Sequence, residues 1–378
     1  MTLDAKRPLR SHDRIEVDTL VVKVASRCNI NCDYCYIYHA KDSSWRDMPA
    51  TMPKVVMQAL VEQVANLYDR QSTPPHVIFH GGEPLLVGIR VLRDLVAALV
   101  KRVPAVSLSI QSNATTYTHE LEKLLLDYCA NLTFSLSVDG FQHEHDRHRL
   151  GIRGQSVYAK IESTMRRSRQ AGVLDNILMV VDIKNEPRRI HEFMAAAGAS
   201  SYNIILQDGD HLSLPAGKAA MDSTDVGVWL WELFKRYSSG PQSFRIKFFD
   251  DIAVSLLKKN RAIRVPNPTY SVCTMTVDTD GEIKQSDTFR INGNGADGLG
   301  ALNIMQVALA DVTSSLAHRE HLARIQALPV TCTNCAYLDT CGGGYPQHRF
   351  GENGYDNPSV YCSDYMFLFE KMEGAICR

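Results

Sequence analysis

Short apolar runs alternate along this chain with longer stretches in which apolar residues recur at every third or fourth position. The runs fall at 20–25, 76–80, 106–111, 132–137, 177–182 and 202–207. Their length and β-branched content predict six strands. Between them, PKVVMQALVEQVANLY and IRVLRDLVAALVKR carry the helical period. Strand and helix units in series require crossover connections, so the predicted sheet is parallel. Past the sixth run, TDVGVWLWELFKRY predicts a helix with Trp229, Leu230, Leu233 and Phe234 on one apolar face. The PNP run at 266–268 then predicts a break before a last module.

Cysteines change this picture, because most of the ten are grouped. Cys28, Cys32 and Cys35 follow the first predicted strand at spacing C-x3-C-x2-C, and Cys332, Cys335, Cys341 and Cys362 lie near the other end. No apolar segment at the N-terminus resembles a secretory signal, so a reducing compartment and metal binding are expected rather than disulfides. Structural zinc takes four protein ligands, and catalytic zinc usually includes histidine or carboxylate. Three thiols with no obvious fourth ligand fit an iron-sulfur cluster with one open iron. The four C-terminal thiols could close around zinc or a cluster alike. Cys129 ends an apolar helical pattern and is expected to be a core thiol; Cys273 and Cys377 stand alone.

The first group, with Tyr34 just before its last cysteine, resembles the motif of radical SAM enzymes. That resemblance implies a partial (β/α)6 barrel in an α/β chain, with its site at the carboxyl ends of the strands as in closed barrels. It also implies a 4Fe-4S cluster whose open iron binds S-adenosyl-L-methionine and cleaves it to a 5′-deoxyadenosyl radical, with a one-electron reductant of flavodoxin or ferredoxin type as partner. HGGEP at 80–84 resembles the family stretch that meets the methionine amine, so Gly81, Gly82 and Glu83 are expected at the cofactor. Glycines let a backbone come close, and a carboxylate suits an ammonium. Asn113, Ser137 and Arg149 follow by the same resemblance; Arg149 suits a carboxylate because a guanidinium donates two parallel bonds. Arg147 and Arg153 lie near enough in sequence to compete, and Asn113 could instead be a cap.

Downstream of such a barrel, the C-terminal cysteines resemble a SPASM domain, which implies one auxiliary 4Fe-4S cluster on Cys332, Cys335, Cys341 and Cys362. A full SPASM domain has cysteines where Ser286 and Tyr345 stand here. The stretches DTDGEIKQSD and CGGGYPQHRFGENGYDNPSVYC resemble those of cyclophane-forming radical SAM/SPASM peptide maturases, which modify ribosomally synthesised precursor peptides. The resemblance implies that a side-chain β-carbon is joined to an aromatic ring, with the auxiliary cluster accepting an electron and a carboxylate the proton. Asp287, beside the vacated position, is the expected base, with a turn cap as the bland alternative. Asp210 and His211 are weaker candidates.

The expected layout is an N-terminal arm at 1–17, the barrel at 18–222, a helical bridging segment at 223–268 and a small SPASM-like domain at 269–378. A net charge of -1 gives no basic excess for nucleic acid, and no apolar run approaches the ~18 residues of a membrane span. A cytoplasmic enzyme is therefore expected. Two alternatives stay open: a sulfatase-maturing formylglycine synthase or other SPASM modification such as a thioether, and a zinc-stabilised peptide-binding protein without activity.

Overall fold

In the computed structural model, which describes residues 16–71, 73–240, 243–259 and 274–376, all six predicted strands form. The strands up to residue 205 are β1 Thr19–Ala25, β2 Ile30–Cys32, β3 His76–Gly81, β4 Ser107–Ser112, β5 Leu132–Ser137, β6 Arg149–Gly151, β7 Leu174–Val180 and β8 Ser201–Ile205. Six of them pair in the order β1-β3-β4-β5-β7-β8, and every pair is parallel. The short β2 and β6 form their own antiparallel pair.

Helices Lys54–Arg70, Ile89–Arg102, His119–Asp127, Tyr158–Gln170 and Pro187–Ala197 supply the crossovers. Local chemistry sets their ends. Thr118 accepts the Leu121 amide at 3.2 Å to open one helix. Another begins on Pro187 and ends at Gly198, whose φ of 71° suits a left-handed cap. On β1, Leu20, Val22 and Val24 are fully buried and join Val56, Leu60 and Val64 of the first helix in one core. Because side chains alternate along a strand, Lys23 lies on the other face. The same alternation puts His80, Gln111, Ser135 and Ser137 on that inner face, which is polar and partly open.

The sheet continues past the predicted barrel at both edges. β9 (Arg245–Ile246) pairs with β8, and β10 (Thr274–Val277) pairs in parallel with β1, Leu20 opposite Met275. β11 (Glu282–Lys284) and β12 (Gly298–Asn303) follow in antiparallel order. The segment carrying Asp287 is thereby tied to the first strand by main-chain hydrogen bonds.

Helix Asp225–Ser238 buries Trp229, Leu230, Leu233 and Phe234 as its pattern predicts, and packs against helix Cys362–Ile376. The crossing is close at Gly227, where an added Cβ would lie 2.6 Å from the Asp364 carbonyl oxygen. The Gly227 amide donates to the Asp364 carboxylate at 2.8 Å, and the wholly buried Lys218 ammonium sits 2.6 Å from its other oxygen. Helix 119–127 stops before Cys129, which falls in the following turn and is exposed; the expectation of a core thiol is corrected accordingly. The proline run at 266–268, Cys273 and Cys377 lie outside the described residues. Among the described residues, no helix is long and apolar enough to cross a membrane.

Candidate active site

Cys28, Cys32 and Cys35 occupy the loop that leaves β1 at the carboxyl end of the sheet, with Cys32 closing β2. Burial pushes the Cys28 thiol up to about 11 and the Cys32 thiol up to about 12, and charge on a neighbouring cysteine adds to each. Cys35 is raised by burial as well. Such thiols keep their protons until a metal displaces them, and metal coordination deprotonates a thiol outright. The donor set therefore fits an iron-sulfur cluster.

Gly81 and Gly82 meet the cysteine loop itself. An added Cβ at Gly81, with φ 136°, would lie 1.9 Å from the Ala25 carbonyl oxygen; at Gly82 it would lie 1.9 Å from the Tyr38 hydroxyl and 2.4 Å from the Arg27 carbonyl oxygen. The Gly82 and Glu83 amides donate to the Ala25 and Arg27 carbonyls, both at 2.9 Å. So the glycines are required by backbone packing, before any ligand is considered.

Glu83 is buried and holds the neighbouring strand end. Its carboxylate accepts from the Leu85 amide at 3.1 Å, the Ser112 hydroxyl at 2.9 Å and the Asn113 amide at 2.8 Å. Burial pushes its carboxyl up to about 7 against these three bonds. Asn113 is no helix cap: its side-chain oxygen takes the Thr115 amide at 3.0 Å, and its amide nitrogen reaches Asn29 at 2.8 Å and the Cys28 sulfur at 3.6 Å. Ser137 ends β5 on the inner face, half-buried.

Arg149 is the arginine that the fold brings to the cysteines. Antiparallel pairing sets it opposite Cys32; Nη1 is 3.9 Å from the Cys32 sulfur, and Nε donates to Asp139 at 2.9 Å. Tyr34 donates its hydroxyl to the same Asp139 oxygen, and the guanidinium lies 5.4 Å from the centre of its ring. Arg147 pairs with Asp182 at 2.8 Å, and Arg153 is exposed in a turn. Sequence reasoning missed Asp139; its only trace was an acidic residue after a predicted strand end.

Asp287 reaches the inner face of the sheet from the C-terminal segment. The Lys23 ammonium is 3.0 Å from its carboxylate, and the Tyr36 hydroxyl donates to it at 2.8 Å. Burial alone would raise the carboxyl, but Lys23, His80 and Arg290 together hold it well below the usual carboxylate range. Behind it lies a buried charge network: Arg290 bridges Asp278 at 2.6 Å and Asp297 at 2.9 Å, and Lys284 stands 3.4 Å from Asp278. Asp287 begins a short 3-10 helix without capping it, so the turn-cap alternative does not describe it. Ser286 pairs its hydroxyl with that of Thr288 at 3.0 Å. Asp210 is spent on structure, taking Lys41 at 2.8 Å, Asn292 at 3.2 Å and two loop amides; His211 binds the Pro358 carbonyl at 2.7 Å.

Of the C-terminal cysteines, Cys332 lies in helix Val330–Thr333, Cys335 in the segment after it, Cys341 at the end of helix Leu338–Cys341, and Cys362 at the start of helix Cys362–Ile376. Burial pushes Cys341 up to about 12, with charge on Cys362, Cys332 and Cys335 contributing. Among the described residues, no group of three or more His, Cys, Asp or Glu is placed to hold a metal ion, in this set or in the loop after β1.

A family model described as the radical SAM superfamily matches residues 22–211, half of the chain. A cysteine-type anaerobic sulfatase-maturating enzyme of Clostridium novyi is 25% identical over 370 residues, covering 93% of this chain and 94% of that one. A serine-type counterpart from Bacteroides thetaiotaomicron is 24% identical over 383 residues, covering 93% and 88%. The solved structure of native anSMEcpe with bound AdoMet and Cp18Cys peptide matches with a TM-score of 0.79 at 21% identity, over 95% of this chain and 97% of that one. Streptococcus suis SuiB bound to precursor peptide SuiA matches with a TM-score of 0.66 at 13% identity, over 92% and 76%. The fold is thus the α/β radical SAM fold. By its matched core and its cysteine loop, the chain belongs to the radical SAM superfamily, whose members use a 4Fe-4S cluster and S-adenosyl-L-methionine.

Proposed function

We propose that the chain is a maturase of ribosomally synthesised precursor peptides that joins a side-chain β-carbon to an aromatic ring, closing a cyclophane. Cys28, Cys32 and Cys35 would hold the SAM-binding cluster, and Cys332, Cys335, Cys341 and Cys362 one auxiliary cluster. When bound, these groups supply removal of a hydrogen atom and acceptance of one electron. The observation that carries the proposal is Asp287: a buried carboxylate on the inner face, within a charge network and directly after Ser286, which stands where a full SPASM domain has a cysteine.

The residues suit the last step of ring closure. Once a β-carbon radical has added to the ring, the adduct must lose one electron and one proton to become aromatic again, so two hydrogens leave overall. A ring carbon that has already lost its electron is a strong acid, and a carboxylate of low proton affinity is base enough. Lys23 and Tyr36 keep Asp287 ionised and aimed inward.

The sulfatase-maturating relatives, spanning nearly the full chain, favour a second reading: oxidation of a cysteine or serine to formylglycine. Co-expression with candidate precursor peptides encoded near the gene, followed by mass spectrometry, separates the two. Loss of two hydrogens with fragmentation blocked between an aromatic residue and a nearby one supports the crosslink. Unblocked fragmentation through a single modified residue refutes it and supports formylglycine, seen as loss of two hydrogens at a serine, or at a cysteine as loss of two hydrogens with sulfur leaving as sulfide and oxygen entering from water.

A further inference from the structure

We propose that Arg149 is a positioning residue for the N-terminal cluster, acting on the Cys32 sulfur to set the electron affinity of the cluster rather than serving only to grip the carboxylate of S-adenosyl-L-methionine. This rests on the reading that Cys28, Cys32 and Cys35 hold that cluster. Three observations carry it. The β2–β6 ladder fixes Arg149 directly opposite Cys32 in register, with Nη1 3.9 Å from the sulfur. Asp139 holds the other side of the guanidinium through Nε at 2.9 Å, and is itself held by the Val180 amide at 3.0 Å and the Tyr34 hydroxyl. Tyr34 also lies against the guanidinium face. The cation therefore cannot swing away from the thiolate without breaking contacts from β2's loop, β5's end and β7's end together.

An N–H donor and a buried positive charge beside a cluster thiolate stabilise the more reduced cluster, because reduction adds negative charge where the cation already stands. Hydrogen bonds to the sulfurs are among the levers by which a protein sets such potentials. Asp139 and Tyr34 act through Arg149, fixing its place. This gives Tyr34 a role as brace, in addition to its place in the cysteine motif.

The test is a potentiometric titration of the reconstituted chain, following by electron paramagnetic resonance the reduced-cluster signal that changes on adding S-adenosyl-L-methionine. Arg149→Met is expected to lower the midpoint potential, Arg149→Lys to restore most of the loss, and Arg149→Gln, which keeps a donor without charge, to fall between. An unchanged or raised midpoint in Arg149→Met overturns the proposal. Should Arg149→Met assemble no cluster, Arg149→Gln carries the test with the same two outcomes. The functional reading fails separately: wild-type protein showing no signal that responds to S-adenosyl-L-methionine would sink that reading before any variant is compared.

Discussion

Glu83 makes the state of the site measurable through stability alone. Its carboxyl is buried, has no cationic partner among its hydrogen bonds, and is pushed up from 4.5 to about 7 by desolvation. Between those pH values the unfolded chain has released the Glu83 proton while the folded chain keeps it. The folded state then binds more protons, so stability falls as pH rises. The contribution is complete below pH 4.5 and lost once pH passes about 7. At about 1.4 kcal/mol per pH unit, the loss is about 3 kcal/mol. Other groups titrate in the same window, so the informative quantity is the difference between wild type and Glu83→Gln, which cannot titrate. Urea unfolding of the metal-free chain from pH 4 to pH 8 should show that difference declining by about 3 kcal/mol against the wild type. A difference that stays flat would refute the claim that Glu83 is buried as a strained carboxylate.

Four further outcomes follow from the geometry. His145, His318 and His321 are held near 4 by burial; they bind protons more readily when unfolded, so stability should drop as pH falls from 6.5 toward 4, and His318→Leu should flatten part of that slope in urea unfolding. Gly82→Ala would drive a Cβ into the Arg27 carbonyl and Tyr38 hydroxyl; overpacking costs roughly 1–3 kcal/mol, and iron bound after reconstitution should fall. Lys218→Met would strand the buried Asp364, costing roughly 3–5 kcal/mol in urea unfolding and loosening the helix that begins with Cys362. Asp287→Asn should cut the yield of modified peptide by roughly 10²–10⁴-fold while release of 5′-deoxyadenosine continues, as read by chromatography.

The parallel core was legible because its strands are apolar on the helix-facing side and long enough to show period, as in Leu20, Val22 and Val24. β10 to β12 were not: the alternation of Thr274 and Thr276 with Met275 and Val277 spans only four residues, Ile283 stands between charged neighbours in three, and β12 carries two glycines. Charged residues read as surface in a sequence, so the burial of Lys23, Asp278, Arg290 and Asp297 became visible only when β10 paired with β1. HGGEP was readable as a special turn, yet the reason for its glycines was a neighbouring backbone, which no local pattern encodes. Choosing Arg149 over Arg147 and Arg153 likewise needed the β2–β6 register. The cysteine groups needed least from the fold, since three thiols within eight residues already limit the chemistry.

The account stands on the cysteine loop after β1 holding a cluster that cleaves a sulfonium by one-electron transfer. Reconstituted protein given dithionite and S-adenosyl-L-methionine is predicted to release 5′-deoxyadenosine, and the Cys32→Ala variant to release none. No nucleoside from the wild type, or equal release from the variant, would contradict it.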